Sequence, residues 1–150
     1  MIRNVSSVVI KRPVAEVFEY ASNLENLAKA DKTIESISRS GKGALGVGSQ
    51  FKGRRKIKGR EFNPEFTLTE FEASKTVAWK ETGVGGDPEG IFRVEQTQEG
   101  TRLTLVTTMK TSGALRFLEF LSAGVIKKQD THVLKTFKST LEARNSVKRK

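Results

Sequence analysis

The spacing of hydrophobic residues changes twice along the chain and divides it into three stretches of predicted secondary structure. Residues 5–11 are rich in valine and serine and predict a first strand. Apolar side chains then recur at intervals of three and four, which indicates a helix beginning near Pro13, at Val14, Val17, Phe18 and Ala21. Residues 22–25 have the form of a capping box, so a second short helix is predicted from there to about Ala30.

From residue 34 to residue 110 the hydrophobic period is mostly two, and glycines mark turns at hairpin intervals. A strand is predicted to start at residue 34, and further strands follow at 49–58, 66–72, 76–82, 91–98 and 101–110. Short turns between consecutive strands imply an antiparallel meander. Together with the first strand, they make a sheet of about seven strands.

After residue 113 the helical period returns and predicts one long helix from Ala114 to about Arg144, with a weak point at residues 122–124. The predicted fold is α+β, a single domain over residues 1–150 in which a curved antiparallel sheet wraps around the C-terminal helix. Only that helix is long enough to cover one face of the sheet. Because a curved sheet and a helix diverge along their length, we expect an apolar cavity between them, of the kind that binds small ligands.

The positive charge of the chain is confined to two short segments. The chain holds 27 Lys and Arg against 17 Asp and Glu, a net charge of +10, and residues 52–60 and 144–150 supply six and four of the basic side chains without an acid. Alternation along the strand predicts an outward basic row, made of Lys52, Arg54, Lys56, Lys58 and Arg60. The row is either an ordinary solvated face or a docking surface for anionic membrane, with residues 145–150 as a fraying basic tail. Nucleic acid is disfavoured because no aromatic residue is interleaved with the row.

The composition excludes several kinds of site and protein. With no cysteine and one histidine, no disulfide, Cys nucleophile or multi-His metal cluster is available, and neither a metal nor a cofactor is expected. No apolar run approaches the roughly 20 residues that span a bilayer, and the first ten residues lack the apolar centre of a signal peptide. A cytoplasmic location is therefore expected, and the oligomeric state is left open.

Three polar residues are candidates for chemistry inside the predicted cavity. Arg55 shares the inward parity of Phe51, so its guanidinium must pair with an acid, meet an anionic or carbonyl group of a ligand, or reach solvent at the strand end. Glu81 shares a face with Trp79 and is a candidate partner for Arg55, or an acid or base. Glu70 is a weaker candidate because the facing of its strand is ambiguous. No catalytic set is assembled by these residues alone.

The predicted wall of the cavity combines inward strand residues with one side of the long helix. By parity, the strand residues are Phe51, Arg55, Phe66, Trp79, Phe92, Leu105 and Met109. The helix contributes Phe117, Leu121 and Val125. Such residues are core residues in any fold, so their role as a ligand wall is inferred from the architecture.

Short motifs along nearly the whole chain resemble the SRPBCC (START/Bet v1-like) superfamily. Residues 8–20, VVIKRPVAEVFEY, are similar to its opening signature of an apolar strand, a proline and a Val-Phe or Val-Trp pair. Residues 46–51 (GVGSQF), 69–79 (TEFEASKTVAW) and 100–104 (GTRLT) resemble three later elements in the same order. The resemblance is to the branch of polyketide cyclases/dehydrases and lipid-transport proteins.

This resemblance implies a helix-grip fold that binds or transports a small hydrophobic or amphipathic ligand, such as a lipid, an isoprenoid or a polyketide. An alternative is an enzyme of the polyketide cyclase/dehydrase type, which would use polar residues in the same cavity. One departure concerns residues 27–32, LAKADK, because many members carry a Trp-x-Pro-like element at the end of the second short helix. The mouth of the cavity is therefore expected to differ in shape.

Overall fold

The computed structural model describes residues 1–110 and 123–144 of the chain. Strand β1 at Ile2–Ile10 is followed by helix α1 at Val14–Ser22 and a 3-10 helix at Leu24–Lys29. Seven strands come next: β2 at Ile34–Ser40, β3 at Gln50–Ile57, β4 at Arg60–Phe62, β5 at Glu65–Glu72, β6 at Thr76–Thr82, β7 at Glu89–Thr97 and β8 at Gly100–Met109. Helix α2 spans Ala123–Ala143.

The strands form one antiparallel sheet that curls into a half-barrel around α2. Its order is β1-β8-β7-β6-β5-β3-β2, and the three-residue β4 pairs with β3 outside this path. Strands β1 and β2 lie at opposite edges, so the two short helices between them connect one edge of the sheet to the other. The predicted α+β helix-grip fold of about seven strands is confirmed; only the short β4 was not predicted.

The second short helix is capped by a different residue from the one that the sequence pattern indicated. Ser22 ends α1, and its hydroxyl donates to the carbonyl oxygen of Glu19 at 3.2 Å. Asn23 is the capping residue instead, because its side-chain oxygen accepts the backbone N–H of Glu25 at 3.1 Å. Serine and asparagine are both favoured at this position, so the pattern could not distinguish a cap at 22 from one at 23.

A buried arginine between β1 and α1 holds the end of α2. The guanidinium of Arg12 donates to the carbonyl oxygens of Leu141 at 2.9 Å and Glu142 at 3.0 Å, and the residue is 6% exposed. The last carbonyls of a helix have no partner within the helix, and a cation there also interacts favourably with the negative end of the helix dipole. Arg12 therefore fixes the C-terminal end of α2 against the sheet.

The described part of α2 packs on the sheet most tightly at its C-terminal half. Phe137 and Leu141 are buried, and the Phe137 ring lies 4.9 Å from the ring of Tyr20 and 5.5 Å from that of Phe92. Closely packed aromatic rings leave little free space here. Residues 114–122 of the predicted helix, the start of its weak point at 122–124 and the tail at 145–150 lie outside the described residues.

Candidate functional site

A cavity of about 100 Å³ lies between the concave face of the sheet and the N-terminal half of the described part of α2. Its apolar wall, among the described residues, includes Leu27, Phe66, Trp79, Leu105, Met109 and Val133. A space of this size has room for several water molecules or for a small organic group, and because the cavity is partly open to solvent, a larger molecule can enter it with one end. Strands of the sheet border the cavity on one side, and residues 126–133 of α2 border it on the other.

Trp79 forms a flat part of the wall because the neighbouring strand carries a glycine opposite it. Gly90 of β7 pairs with Trp79 of β6, and a Cβ atom on Gly90 would lie 2.2 Å from the indole ring. No side chain could occupy that position without displacing the ring. Phe92 packs against the indole with ring centroids 5.3 Å apart. The Trp79 ring is therefore held between the core and the cavity.

The polar end of the cavity is built around one buried guanidinium. Arg55 of β3 makes a two-pronged ion pair with Glu81 of β6, with Nε–Oε2 and Nη2–Oε1 distances of 2.8 Å. Its Nη1 donates to Asp31 Oδ2 at 3.3 Å and to the hydroxyl of Thr33. The side chains of Arg55, Glu81 and Asp31 are 11%, 5% and 10% exposed. The charged cluster thus joins two strands of the sheet to the segment that follows the 3-10 helix.

Asp31 has its carboxylate oriented by local hydrogen bonds. Its Oδ1 accepts the backbone N–H of Thr33 at 2.9 Å and the Thr33 hydroxyl at 2.7 Å, which is an Asx turn. Its Oδ2 accepts the side-chain amide of Gln129, on α2, at 3.0 Å. The segment after the 3-10 helix is thereby connected to both the sheet and α2 at the cavity.

Burial and pairing have opposite effects on the ionisation of this cluster. Burial raises the pKa of Glu81 above its ordinary value, while Arg55 opposes the rise and the charge of Asp31 adds to it. Burial alone would lower the pKa of Arg55, but Glu81 and Asp31 together raise it above the ordinary value. Arg55 therefore stays charged, and Glu81 is the member of the pair that accepts a proton more readily than an exposed glutamate.

A second buried carboxylate, Asp130 of α2, also borders the cavity. Its Oδ2 accepts the hydroxyl of Thr107 at 2.7 Å and the side-chain amide of Asn4 at 3.1 Å. Burial raises the pKa of Asp130, these two hydrogen bonds lower it, and the charge of Asp31 raises it further, with a net increase. His132, two residues along the helix, is exposed, so these two groups do not form a catalytic pair.

Five of the residues predicted to form the ligand wall do border the cavity: Arg55, Phe66, Trp79, Leu105 and Met109. Of the alternatives for Arg55, the structure contains the acid pair with Glu81. The parity of β3 is also as expected, because Lys52, Arg54 and Lys56 are exposed, with Lys58 and Arg60 exposed just beyond. Whether this basic row docks on an anionic surface stays a prediction.

The other predicted site residues lie elsewhere. Phe51 and Phe92 are fully buried and do not border the cavity, because the curl of the sheet places them in the packed core. Val125 is 44% exposed and lies away from the cavity, because it is on the outer side of α2. Glu70 is exposed because an irregularity in β5 between residues 68 and 70 changes its facing. Phe117 and Leu121 lie outside the described residues.

Several polar residues of the site were not predicted from the sequence. Asp31 and Gln129 contact each other across 98 positions of sequence, and neither stands in a recognisable catalytic pattern. The Asp-x-Thr order at 31–33 does indicate an Asx turn, but it gives no sign that the turn faces a cavity. Asp130 could have been singled out as an acid on the same helix face as Val133.

Residues 1–110 and 123–144 contain neither a metal-binding cluster nor a membrane-spanning helix. No group of three His, Asp or Glu residues there is arranged to hold a metal ion. Nor does that part of the chain contain a helix long and apolar enough to cross a membrane.

The fold and the mixed apolar and polar cavity define a helix-grip protein, and comparison with known sequences gives its family. The chain belongs to the family described as "Polyketide cyclase / dehydrase and lipid transport", whose sequence model matches residues 1–142. The SRPBCC resemblance is therefore confirmed. No curated protein sequence matches the chain.

Solved structures confirm the fold over nearly the whole chain. The aromatase/cyclase Zhui from Streptomyces sp. R1128 superposes with a TM-score of 0.77 at 15% identity, covering 97% of this chain and 96% of its own. The protein TTHA0849 from Thermus thermophilus gives 0.74 at 20% identity, with 97% and 99% covered. Ara h 8.0201 gives 0.68 at 13% identity, with 94% and 97% covered. At these identities the likeness concerns the fold alone.

The raised pKa of Asp130 predicts a pH dependence of stability. Its folded-state pKa lies above the ordinary 3.8, so the folded protein holds this proton more tightly than the unfolded chain does. The contribution of Asp130 to the unfolding free energy of the wild type should therefore fall as pH rises from about 4 through the raised pKa, by at most about 1.4 kcal/mol per pH unit. Asp130→Asn removes this titration and should gain stability relative to the wild type over that interval.

Urea denaturation at pH values from 4 to 8 measures this difference, with Glu99→Gln, a change of an exposed carboxylate, as the control. The control should run parallel to the wild type. If the unfolding free energies of Asp130→Asn and the wild type differ by the same amount at every pH in the interval, the raised pKa of Asp130 is contradicted.

Proposed function

We propose that the protein binds a small amphipathic molecule in the cavity between the sheet and α2. The observation that carries the proposal is the division of the cavity into two surfaces. Phe66, Trp79 and Leu105 offer an apolar wall, and the Arg55–Glu81 pair with Asp31 offers hydrogen-bonding groups at one end. Binding pockets for small molecules combine such walls with a few placed polar groups. Family membership supports the same function.

The proposal leaves open whether the bound molecule is carried or converted. A lipid, an isoprenoid and a polyketide-like molecule each have an apolar body and a polar end, and each is compatible with this arrangement. Transport needs only reversible binding in the cavity. Conversion needs, in addition, a group that exchanges protons with the bound molecule.

The sole tryptophan of the chain gives a direct test of binding, since Trp79 lines the cavity. Titration with N-phenyl-1-naphthylamine, an uncharged dye that emits in apolar surroundings, should increase dye emission and quench Trp79 together. Val133→Phe places a larger side chain in the cavity and should weaken dye binding by about tenfold or more. Native mass spectrometry of the purified protein should show the dye bound with a stoichiometry of one.

Val125→Phe is the matched control, because it makes the same change on the same helix at a half-exposed position outside the cavity. It should bind the dye as the wild type does. Absence of dye binding by the folded wild type, or equal binding by both variants and the wild type, would contradict a ligand site in this cavity.

A second candidate function is ring closure of a polyketide-like substrate. The observation that favours it is that Arg55 and Glu81, two candidates from different strands, converge on the same cavity. Aldol ring closure needs a base that removes a proton next to a carbonyl and a group that stabilises the enolate. The pKa of Glu81 is raised by burial, which brings a carboxylate closer to the range useful for proton exchange near neutral pH.

This candidate predicts a specific loss on mutation. Incubation with a short poly-β-ketone thioester should yield a cyclised aromatic product, measured by absorbance and mass spectrometry. Glu81→Gln should lower the initial rate by about a hundredfold. Glu72→Gln, an exposed change on β5, should leave the rate as it is. A rate no higher than buffer for the folded wild type would reject ring closure of this substrate and leave the binding proposal intact.

A further inference from the structure

The cavity has the opposite charge to the protein as a whole. Among the described residues that border it, four are acidic and one is basic, namely Asp31, Glu81, Glu89 and Asp130 against Arg55. The whole chain carries a net charge of +10. A ligand that enters the cavity therefore meets a site dominated by carboxylates, although the protein carries a net positive charge.

The basic residue in this wall is already engaged by the protein. Four hydrogen bonds from Arg55 are directed at Glu81, Asp31 and Thr33, and a guanidinium has five N–H groups in all. One N–H group of Nη2 remains, so a carboxylate, sulfonate or phosphate of a ligand could accept a single hydrogen bond, and a two-pronged contact would have to displace Glu81 or Asp31 from Arg55. That exchange would leave a buried carboxylate without its cation, which is strongly unfavourable.

The carboxylates, in contrast, retain capacity to accept hydrogen bonds. Each carboxylate has about four lone-pair positions. Glu81 takes two N–H groups from Arg55, one on each oxygen, and Asp130 takes Thr107 and Asn4 on a single oxygen. A hydroxyl, amine or ammonium group of a ligand can donate to these oxygens without disrupting the existing pairs.

We propose that the cavity selects amphiphiles whose polar end donates hydrogen bonds and bears no negative charge, and that it excludes anionic ones. This inference rests on the proposed binding function and specifies its ligand class. Like charges brought together in a site of low polarity oppose binding, and specificity is often achieved by such repulsion. The ligand class is then an alcohol, phenol or amine with an apolar body.

Displacement of N-phenyl-1-naphthylamine by three eight-carbon competitors tests the selection. The competitors are 1-octanol, octylamine and octane-1-sulfonate, which share the same apolar chain and differ in the polar end and its charge. Recovery of Trp79 emission reports displacement from the cavity, so attachment of the sulfonate to the basic surface does not count. The net positive charge of the protein attracts the sulfonate and repels the amine. Long-range electrostatics therefore cannot produce weaker binding of the sulfonate, which is the result expected from the cavity.

The alcohol and the amine should displace the dye at concentrations about tenfold or more below that of the sulfonate. Displacement by the sulfonate at an equal or lower concentration would overturn the selection, while the binding of the dye would still support a ligand site. Failure of the dye itself to bind the folded wild type would reject the binding function and, with it, this inference.

A pair of variants tests whether the carboxylates are the cause. The double variant Asp31→Asn with Glu81→Gln removes both negative charges from Arg55, so the sulfonate should bind about tenfold more tightly than to the wild type. The control is Glu72→Gln with Glu95→Gln, which makes the same change in net charge at exposed positions and should change nothing. An unchanged exclusion of the sulfonate by the folded double variant would overturn the proposal.

Asp130→Asn is a second variant that keeps the Arg55 pairs intact, should the double variant not fold. It should weaken displacement by octylamine relative to 1-octanol by about threefold or more, because one negative charge is lost from the wall. If the ratio between the displacing concentrations of octylamine and 1-octanol is the same in Asp130→Asn as in the wild type, the electrostatic selection is overturned.

Discussion

A guanidinium held between two buried carboxylates is the interaction on which the site depends. Arg55 on β3 pairs with Glu81 on β6 and also contacts Asp31, which follows the 3-10 helix. The carboxylate of Asp31 in turn accepts hydrogen bonds from Thr33 and from Gln129 of α2. Removing one partner of such a pair leaves an uncompensated buried charge and typically costs about 3–5 kcal/mol. Because the charges of the cluster pair with one another, they can remain buried at the wall of the cavity and keep that end of it polar.

The opposite wall depends on a different constraint, which is shape. The glycine at position 90 allows the Trp79 ring to lie flat across the neighbouring strand, and Phe92 and Phe137 pack behind it. The C-terminal half of α2 packs against these rings. Residues 126–133 border the cavity, and Asp130 connects this part of the helix to the sheet through Thr107 and Asn4. The cavity is therefore the place where a packed core ends, and the loop between β6 and β7 completes part of its wall with Val84, Gly85 and Pro88.

Much of the fold could be predicted from the sequence because each element has its own period and turn signals. The boundaries of β6, for instance, are the predicted ones, since alternating residues at 76–82 lie between clear turns. The inward direction of Arg55 followed from parity alone. Parity failed at Glu70, where an irregularity in β5 intervenes. Parity was right that Phe51 and Phe92 face inward, but it could not tell the packed core from the cavity wall, because the curl of the sheet decides between them. The contact between Asp31 and Gln129 depends on how separate elements pack, which no local pattern encodes.

The most direct test of this account is a crystal structure of the protein grown with N-phenyl-1-naphthylamine. The account predicts electron density for the dye between Trp79 and Leu105, with its N–H group directed towards the carboxylates of Glu81 or Asp31 and the Arg55–Glu81 pair unbroken. Density for the dye only on the outer surface, with the space between sheet and helix filled by protein side chains, would contradict it.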